Sequence, residues 1–471
     1  MERPRRPSRR PQKVDQHDLQ GNVLAGYGFP HGLFAFLRVR DPAAGRELVA
    51  ELLAEGRVTT AAPFGPGKPA TATNVAFSFD GLRALGVSRD VLESFPADFR
   101  EGMAARADRL GDIGPNAPER WEAGLRGGDP HVLLTLTARD PEGLAGLRDD
   151  VRRRAGGTAS GLAIVHEQRA AVLPGPGENR VYEHFGFADG LAQPSIAGVS
   201  EHAGERVGPH RRAGQGVPTR GGWRDLAPGE FVLGYRDEAG QVADRPHDPL
   251  RRSGSYMVVR KLQQHVSRFY NYLLVAAGGD RARAEQLSAK VVGRWRDGTP
   301  IVASAEQPDE ATAAAPPLTD FRYGADPDGS RCPLGAHVRR ANPRDALGFH
   351  GRLTARHRII RRGMPYGPRA EDPYLDDGLD RGLMFVCYQA SIARQFELIQ
   401  GRWLMDGDAF CLGTEQDFLL ALDDPLGKMT IQGDPPEFLA PQRAFVINRG
   451  GGYFFTPGMA ALRALAAGEA C

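Results

Sequence analysis

Gly32 to Val39 read GLFAFLRV, a short apolar and aromatic run that predicts a β-strand. The residues that follow, Ala43 to Gly56, place Leu48, Leu52 and Leu53 on one face of a predicted helix. The first unit of the fold is therefore a strand followed by a helix.

The same alternation continues along the first part of the chain. Further strands and helices are predicted at Asn74 to Phe79 and Gly81 to Leu92, at His131 to Thr137 and Pro141 to Arg154, and at Leu162 to Val172. The intervals are too short and irregular for a doubly wound sheet, and no G-x-G-x-x-G segment follows a strand, which disfavours nucleotide chemistry. Four strands with interleaved helices are the elements of a ferredoxin-like α+β unit.

The second half of the chain repeats this order of elements without a readable sequence repeat. Strands are predicted at Gly229 to Gly234, Gly254 to Arg260, His357 to Arg361, Gly382 to Tyr388 and Ala444 to Phe455, and helices at Leu262 to Ala277, Gln389 to Gln400 and Met459 to Ala467. We therefore predict a disordered basic tail at 1–16, an N-terminal domain at 17–225 and a C-terminal α+β domain at 226–471.

Composition excludes several classes of protein. The 471 residues carry 60 Lys and Arg against 58 Asp and Glu, a net charge of +2, which gives no basic field for nucleic acid. No apolar run approaches the roughly 18 residues of a membrane span. Four cysteines occur without a C-x-x-C pair, which indicates a reducing compartment, and we expect the cytoplasm. Two Arg-Arg pairs precede residue 11, but polar residues follow where a signal peptide needs an apolar region.

One histidine has surroundings that suit a metal ligand. His337 lies in CPLGAHVRRANPR, residues 332–344, where Gly335 and Ala336 would permit close approach of a flat ligand and the following arginines could meet its carboxylates. A lone histidine is more often a polar core or surface residue, so composition alone leaves the role open.

An aspartate and an arginine are the other candidates for chemistry. Asp189 lies between glycines and aromatic residues in HFGFADG, residues 184–190, an environment that suits proton transfer. The alternative is a turn in which Asp189 caps the backbone and the glycines supply positive φ. Arg361, in IIRRGMPYG, could equally be a solvated residue at a strand end.

The ordered set of these segments resembles the dye-decolourising haem peroxidase family, in particular its longer bacterial members. The set is G-x-x-D-G at 186–190, GAHVR with NPR at 335–344, and IR-x-GMPY at 360–366, with DLQGN, KVVGRW, GLMFVCYQ and GGGYFFTP in agreement elsewhere. Each motif alone is weak, but their order is specific.

The resemblance implies two ferredoxin-like domains with antiparallel sheets, and one haem b per chain held mainly by the second domain. His337 matches the axial ligand of the iron, with Glu397 and Asp417 as options for the acceptor of its other nitrogen. Asp189 matches the distal carboxylate. Arg361 matches the distal arginine, which is also expected to contact a haem carboxylate. Further residues of the expected haem pocket are Gly186, Gly190, Leu383 and Phe385, the last two narrowing access for peroxide.

The function implied is reduction of hydrogen peroxide with one-electron oxidation of dyes, phenols or other small aromatic reductants, by a monomer or homodimer. Two alternatives remain open from the residues: a haem-modifying enzyme, such as a deferrochelatase or a peroxide-driven biosynthetic oxidant, and a haem-binding protein without turnover. Aromatic residues near these segments could carry electrons to the surface, although packing is the more common role: Tyr388, Trp403, Tyr366 and Trp295.

Overall fold

The structure is a computed structural model that describes residues 12–24, 26–64, 67–155, 160–175, 180–199, 215–219, 222–243, 245–309, 318–422 and 427–471. Its α-helices are α1 (Gly21–Leu24), α2 (Pro42–Ala54), α3 (Phe79–Ala84), α4 (Arg89–Glu93), α5 (Ala97–Ala105), α6 (Ala107–Leu110), α7 (Pro141–Ala155), α8 (Val266–Ala276), α9 (Arg281–Val292), α10 (His337–Ala341) and α11 (Met459–Ala467). Two π-helical segments follow one another at Ala393–Glu397 and Ile399–Leu404. Short 3₁₀ turns occupy Gly114–Asn116, Pro118–Arg120, Pro228–Glu230, Phe349–Gly351, Thr354–His357 and Asp408–Phe410.

The strands are of two kinds, long ones that build the main sheet and short ones in the loops. In chain order they are β1 (His31–Val39), β2 (Thr71–Phe77), β3 (Val132–Ala138), β4 (Leu162–Ala171), β5 (Leu173–Pro174), β6 (Val181–Tyr182), β7 (Ala188–Asp189), β8 (Val217–Thr219), β9 (Gly222–Arg224), β10 (Ser255–Gln264), β11 (Ile360–Arg361), β12 (Met364–Tyr366), β13 (Gly382–Gln389), β14 (Met429–Ile431), β15 (Glu437–Leu439) and β16 (Val446–Thr456).

The main sheet joins two units of the same topology. The first four strands pair antiparallel in the order β2-β3-β1-β4, and the C-terminal strands follow the equivalent order β11-β13-β10-β16, with β12 also on β13. The units meet where Phe455 of β16 pairs with Phe77 of β2. Strands β4 and β12 also lie against each other, so the sheet curves until its two edges meet. The predicted α+β class with two ferredoxin-like units is confirmed.

The two faces of strand β13 serve different purposes. Met384, Val386 and Tyr388 are buried in the apolar cluster enclosed by the curved sheet. Leu383 and Phe385 point to the opposite face, where both are only half-buried, because successive side chains of a strand alternate. The outward face of the C-terminal unit therefore carries the predicted haem-pocket residues.

The predicted strand at Gly229 to Gly234 is wrong. Pro228–Glu230 forms a 3₁₀ turn instead. Phe231, Val232 and Leu233 are buried in the core without belonging to a strand, and the amide of Val232 bonds back to Pro228. The apolar run at Gly229 to Gly234 therefore reflects burial in the core and not pairing within a β-sheet.

Two predicted helices begin later than their sequence patterns indicate. The helix predicted from Leu262 starts at Val266, because Leu262 pairs with Leu383 and extends β10 to Gln264. The helix predicted from Gln389 starts after that residue has ended β13 against Tyr256. In both cases pairing with a distant strand outweighs local helical periodicity.

The end of the predicted disordered tail is ordered. Residues 1–11 lie outside the described part of the chain, but Val14 is 2% exposed and its amide donates to the carbonyl of Gly198, and Gln16 bonds to the carbonyl of Ala61. Burial of an apolar side chain and these two backbone contacts hold residues 12–16 against the first unit. The domain boundary at 225/226 stays a prediction. No helix in the described ranges is both long and apolar enough to cross a membrane.

Candidate functional site

His337 opens the short helix α10 and is oriented by a buried carboxylate. Its Nδ1 donates to Oδ2 of Asp417 at 3.0 Å, since a carboxylate can only accept. Oδ1 of Asp417 in turn accepts from the amides of Leu419 and Leu420. Burial lowers the pKa of His337, but the charge and hydrogen bond of Asp417 outweigh it and raise the pKa.

Asp417 rather than Glu397 is therefore the acceptor for His337. Glu397 lies in a separate buried network, where both of its oxygens accept from Arg106 and Oε1 also accepts from Tyr453. His337 and Asp417 are 80 residues apart in the sequence. Nothing in the sequence indicated whether Asp417 or Glu397 lies beside His337.

The loop that carries Asp189 is shaped by a glutamate that sequence reasoning did not single out. The carboxylate of Glu183 accepts from the amides of Phe185 and Phe187, each at 2.9 Å, and from Nε2 of Gln264 at 2.6 Å. Burial raises the pKa of Glu183. The signal available in the sequence was an acidic residue just before the glycine-rich segment, but a loop carboxylate is too common to be informative.

Asp189 stands at the end of that loop and faces Arg361. It pairs with Val181 in the small β5-β6-β7 sheet, and its Oδ1 accepts from the amide of Gly190 at 2.6 Å. The same Oδ1 lies 3.7 Å from Nη1 of Arg361. Gly190 and Gly186 adopt φ of +75° and +89°, which favours glycine. Asp189 thus makes the predicted backbone contact and also faces the predicted distal arginine.

Arg361 is tied to the Asp189 loop at both its backbone and its side chain. Nε2 of Gln193 donates to the carbonyl of Arg361 at 3.0 Å, and Oε1 of Gln193 accepts from the amide of Arg361 at 3.1 Å. The guanidinium donates from Nη2 to the carbonyl of Leu191 at 2.5 Å. One loop therefore positions both Asp189 and Arg361.

The apolar side of the site comes from β13. Arg361 pairs with Cys387, so its side chain shares the outward face of β13 with Leu383 and Phe385. The ring of Phe385 lies 6.1 Å from that of Phe396 in the π-helical segment. The structure thus brings together Asp189, Arg361 and the two predicted apolar residues on one side of the site.

The residues present fit a haem group in two respects. His337 keeps a 28% exposed side chain although its partner Asp417 is fully buried, and among the described residues its Nε2 has no hydrogen-bond partner, so that nitrogen is open to a metal. The charge of Arg361 also lowers the pKa of His337, so the two side chains are near enough for their charges to interact.

The second respect is an excess of positive charge that suits the carboxylates of a porphyrin. Burial, followed by the charge of Arg361, lowers the pKa of Arg358 to about 10. Burial, followed by the nearby arginines, does the same for Arg294, whose Nη2 is buried with no partner. In the part of the chain that the structure describes, neither Arg358 nor Arg294 has a carboxylate at ion-pair distance.

Comparison with known families covers both halves of the chain. A model described as "DyP dimeric alpha+beta barrel domain" matches residues 18–168, and one described as "Dyp-type peroxidase, C-terminal" matches residues 236–410. The two models together span the first ferredoxin-like unit and most of the segments that build the site.

Individual relatives are similar along nearly the whole chain. A dye-decolorizing peroxidase of the fungus Mycetinis scorodonius is 30% identical over 95% of this chain and 86% of its own length. The multifunctional dye peroxidase of the bacterium Amycolatopsis is 31% identical over 83% of this chain and 81% of its own. The crystal structure of a decolorizing peroxidase from Auricularia auricula-judae superposes with a TM-score of 0.80 at 25% identity, covering 97% of this chain and all of that one. Fungal as well as bacterial proteins are thus similar to this chain.

Proposed function

The chain belongs to the dye-decolorizing peroxidase family and is a haem peroxidase, and from this premise we propose that His337, Asp189 and Arg361 form its reaction site. The enzyme reduces hydrogen peroxide and oxidises dyes, phenols or other small aromatic reductants by one-electron steps. The observation that carries the assignment of residues is the ion pair between Asp189 and Arg361 at 3.7 Å, and the charge of Arg361 also acts on the pKa of His337.

The proposed cofactor is one haem b per chain. Nε2 of His337 would bind its iron, and Arg361, with Arg358 nearby, would contact its carboxylates. When bound, the haem supplies the redox chemistry of the reaction, and the protein supplies orientation and charge. The hydrogen bond from His337 to Asp417 would hold the imidazole in the tautomer that leaves Nε2 free for the metal.

Asp189 is the proposed acid and base. Hydrogen peroxide must lose a proton from one oxygen and gain one on the oxygen that leaves as water, so a single group within reach of both can serve. Oδ1 of Asp189 is occupied by the amide of Gly190, whereas Oδ2 accepts no hydrogen bond from the described residues. Oδ2 is therefore the atom we assign to carrying the proton.

Arg361 is the proposed electrostatic partner. Its guanidinium stays charged throughout the reaction, and it would stabilise the negative charge that develops as the O–O bond breaks. The contacts with Leu191 and Gln193 hold it beside Asp189 without reorganisation at that moment. Leu383 and Phe385 would exclude larger molecules, while the bends at Gly186 and Gly190 aim the loop at the site.

The compartment and assembly are also proposals. All four cysteines, two buried and two exposed, are free, which supports a reducing compartment such as the cytoplasm. A monomer or a homodimer is proposed for the assembly.

The test is peroxide turnover by purified protein with its absorption spectrum recorded in parallel. We expect a haem Soret band in wild type and in Asp189→Asn, with kcat/KM for peroxide lower in Asp189→Asn by about 10² to 10⁴-fold, the usual contribution of a general acid–base group. As a matched control, Asp149→Asn changes an exposed aspartate of α7 and should leave turnover unchanged.

Three outcomes would contradict the assignment. Full peroxide turnover by Asp189→Asn would move the main distal role to Arg361. Haem binding without any peroxide turnover in wild type would instead favour the haem-binding protein among the alternatives, and release of iron from the bound haem would favour a deferrochelatase-like reaction.

A further inference from the structure

A concave site lies where strand β10 ends and strand β16 begins, and neither Asp189 nor Arg361 lines it. It has a volume of 460 Å³ and brings together the 3₁₀ turn at 114–116, the start of α8 and the segment that leads into β16. We call it the β10–β16 pocket and define it by six of its residues: Ile113, His265, Arg268, Leu422, Arg443 and Ile447. None of them belongs to the proposed peroxide site.

The pocket carries two arginines, and neither forms an ion pair with a carboxylate in the described part of the chain. Arg268 uses Nη1 to donate to the carbonyl of Ala444, and its Nε and Nη2 form no hydrogen bond with any residue that the structure describes. Arg443 is exposed and has no hydrogen bond or ion pair with any residue the structure describes. Asp376 is close enough for its charge to act on Arg268, yet it is not at ion-pair distance.

His265 adds a polar atom without a partner. Its Nε2 is buried and has no hydrogen bond within the described ranges. Burial, followed by the charge of Arg268, lowers the pKa of His265 to about 4, with Arg443 contributing in the same direction and Asp376 opposing them. The imidazole is therefore neutral at physiological pH, and the positive potential around it comes from the arginines.

The remaining surface of the pocket is mostly apolar, with Gln263 as its one further polar side chain among the described residues. Ile113 is 49% exposed, which is unusual for a large aliphatic side chain, and Leu422 and Ile447 complete the lining. Pro115 extends this surface from the neighbouring turn. Two arginines beside an apolar wall match a ligand that is anionic at one end and flat and apolar at the other.

We propose that the β10–β16 pocket binds a small aromatic compound that carries one carboxylate or sulfonate group, with the anion at Arg268 and Arg443 and the ring on Ile113 and Leu422. A guanidinium pairs with both kinds of anion through two parallel N–H donors, so either group satisfies the same chemistry. Nε2 of His265 offers a further hydrogen bond. It can donate to the anion when it carries the proton, and it can accept from a ring substituent when it does not.

The test measures binding to the haem-loaded protein without peroxide, by isothermal titration with naphthalenesulfonate. Naphthol is the uncharged probe of the same shape, and sodium sulfate is the anion without a ring. We expect naphthalenesulfonate to bind at least tenfold more tightly than either, and Arg443→Gln and Arg268→Gln each to weaken it by about tenfold. Arg463→Gln, an exposed arginine on α11 without a described ion pair, should leave binding unchanged.

Several results would overturn the proposal. Wild-type affinity for naphthalenesulfonate in both Arg443→Gln and Arg268→Gln would remove the pocket as the site. If naphthol bound as tightly as naphthalenesulfonate, the anion would not be recognised. If sulfate bound as tightly as naphthalenesulfonate, the ring would not be recognised. Because the titration contains no peroxide, its failure leaves the proposed roles of Asp189 and Arg361 unaffected, and loss of turnover in Asp189→Asn leaves this proposal unaffected.

Discussion

The side-chain amide of Gln193 forms two hydrogen bonds with the backbone of Arg361, one to its carbonyl at 3.0 Å and one from its amide at 3.1 Å. A glutamine thus pairs with a strand edge as a neighbouring strand would. It stands four residues after Asp189 in the same loop, so it fixes the spacing between Asp189 and Arg361.

We predict that Gln193→Leu, which keeps the size of the side chain and removes both hydrogen bonds, lowers kcat/KM for peroxide by about tenfold to 10²-fold, because small displacements of a positioned group have effects of this size. The Soret band should persist, since His337 is untouched. Gln168→Leu on β4 is the matched control. Unchanged kcat/KM in Gln193→Leu would mean that Leu191 alone suffices to hold Arg361.

We predict that substitutions of His337 and Asp417 weaken haem binding to different degrees. His337→Ala should abolish the Soret band, because it removes the nitrogen that we propose binds the iron. Asp417→Asn should retain the band but weaken haem affinity by about 10 to 100-fold, the usual effect of removing the partner of a metal-bound histidine. Both are measured by titrating apoprotein with haem, with His17→Ala, an exposed histidine, as the control. A Soret band of wild-type position and affinity in His337→Ala would refute the axial assignment.

We predict that Glu183 contributes both to the stability of the fold and to peroxide turnover. Glu183→Gln replaces a carboxylate that accepts from two backbone amides by a group with a single acceptor oxygen. We expect a loss of about 1–3 kcal/mol in the free energy of unfolding, the cost of leaving a buried donor unsatisfied, and lower peroxide turnover because the Asp189 loop loosens. Glu142→Gln, an exposed residue of α7, should change neither quantity. Denaturant unfolding that gives the same midpoint for Glu183→Gln and wild type would show that the loop does not depend on this carboxylate.

We predict that His184 makes the fold less stable in acid. Its Nε2 donates to the carbonyl of Tyr366 at 2.8 Å, and its Nδ1 is buried with no hydrogen-bond partner among the described residues. Burial, followed in the same direction by the charges of Arg381 and Arg369, lowers the pKa of His184 to about 4, although the bond to Tyr366 opposes the shift. A second proton would therefore be placed where nothing accepts its hydrogen bond.

The lowered pKa of His184 sets the direction of the pH effect. The unfolded chain, with a histidine pKa near 6.5, binds the proton more readily than the native protein, so the stabilisation is complete above that pH and is lost as pH falls towards about 4. The loss attributable to His184 is about 3 kcal/mol. Melting temperature measured against pH should fall less steeply in His184→Gln than in wild type, and His17→Gln should follow wild type. Parallel curves for His184→Gln and wild type would contradict this assignment.

Several elements could be predicted from the sequence because their signals are local. The run at Gly32 to Val39 and the helix Met459–Ala467 show their period within one segment. The spacing of Gly186, Asp189 and Gly190 likewise identified the loop, because positive φ is a property of individual residues.

Predictions failed where a distant partner decides local structure. Leu262 has a helical pattern but forms a strand because Leu383 pairs with it, and Phe231 to Leu233 are apolar because the core covers them rather than because they pair. In both cases residues far away in the chain decide the outcome, by pairing with Leu262 and by covering Phe231 to Leu233, and a single segment does not reveal them.

The sequence by itself determined the α+β class and the family, and it pointed to His337, Asp189 and Arg361 as candidates for the reaction site. Only the tertiary structure decided that Asp417 and not Glu397 orients His337, that Gln193 joins Asp189 to Arg361, and that Glu183 shapes their loop. The physical reason is that hydrogen bonds act over about 3 Å whatever the separation along the chain, and folding brings together groups that are 80 and 168 residues apart.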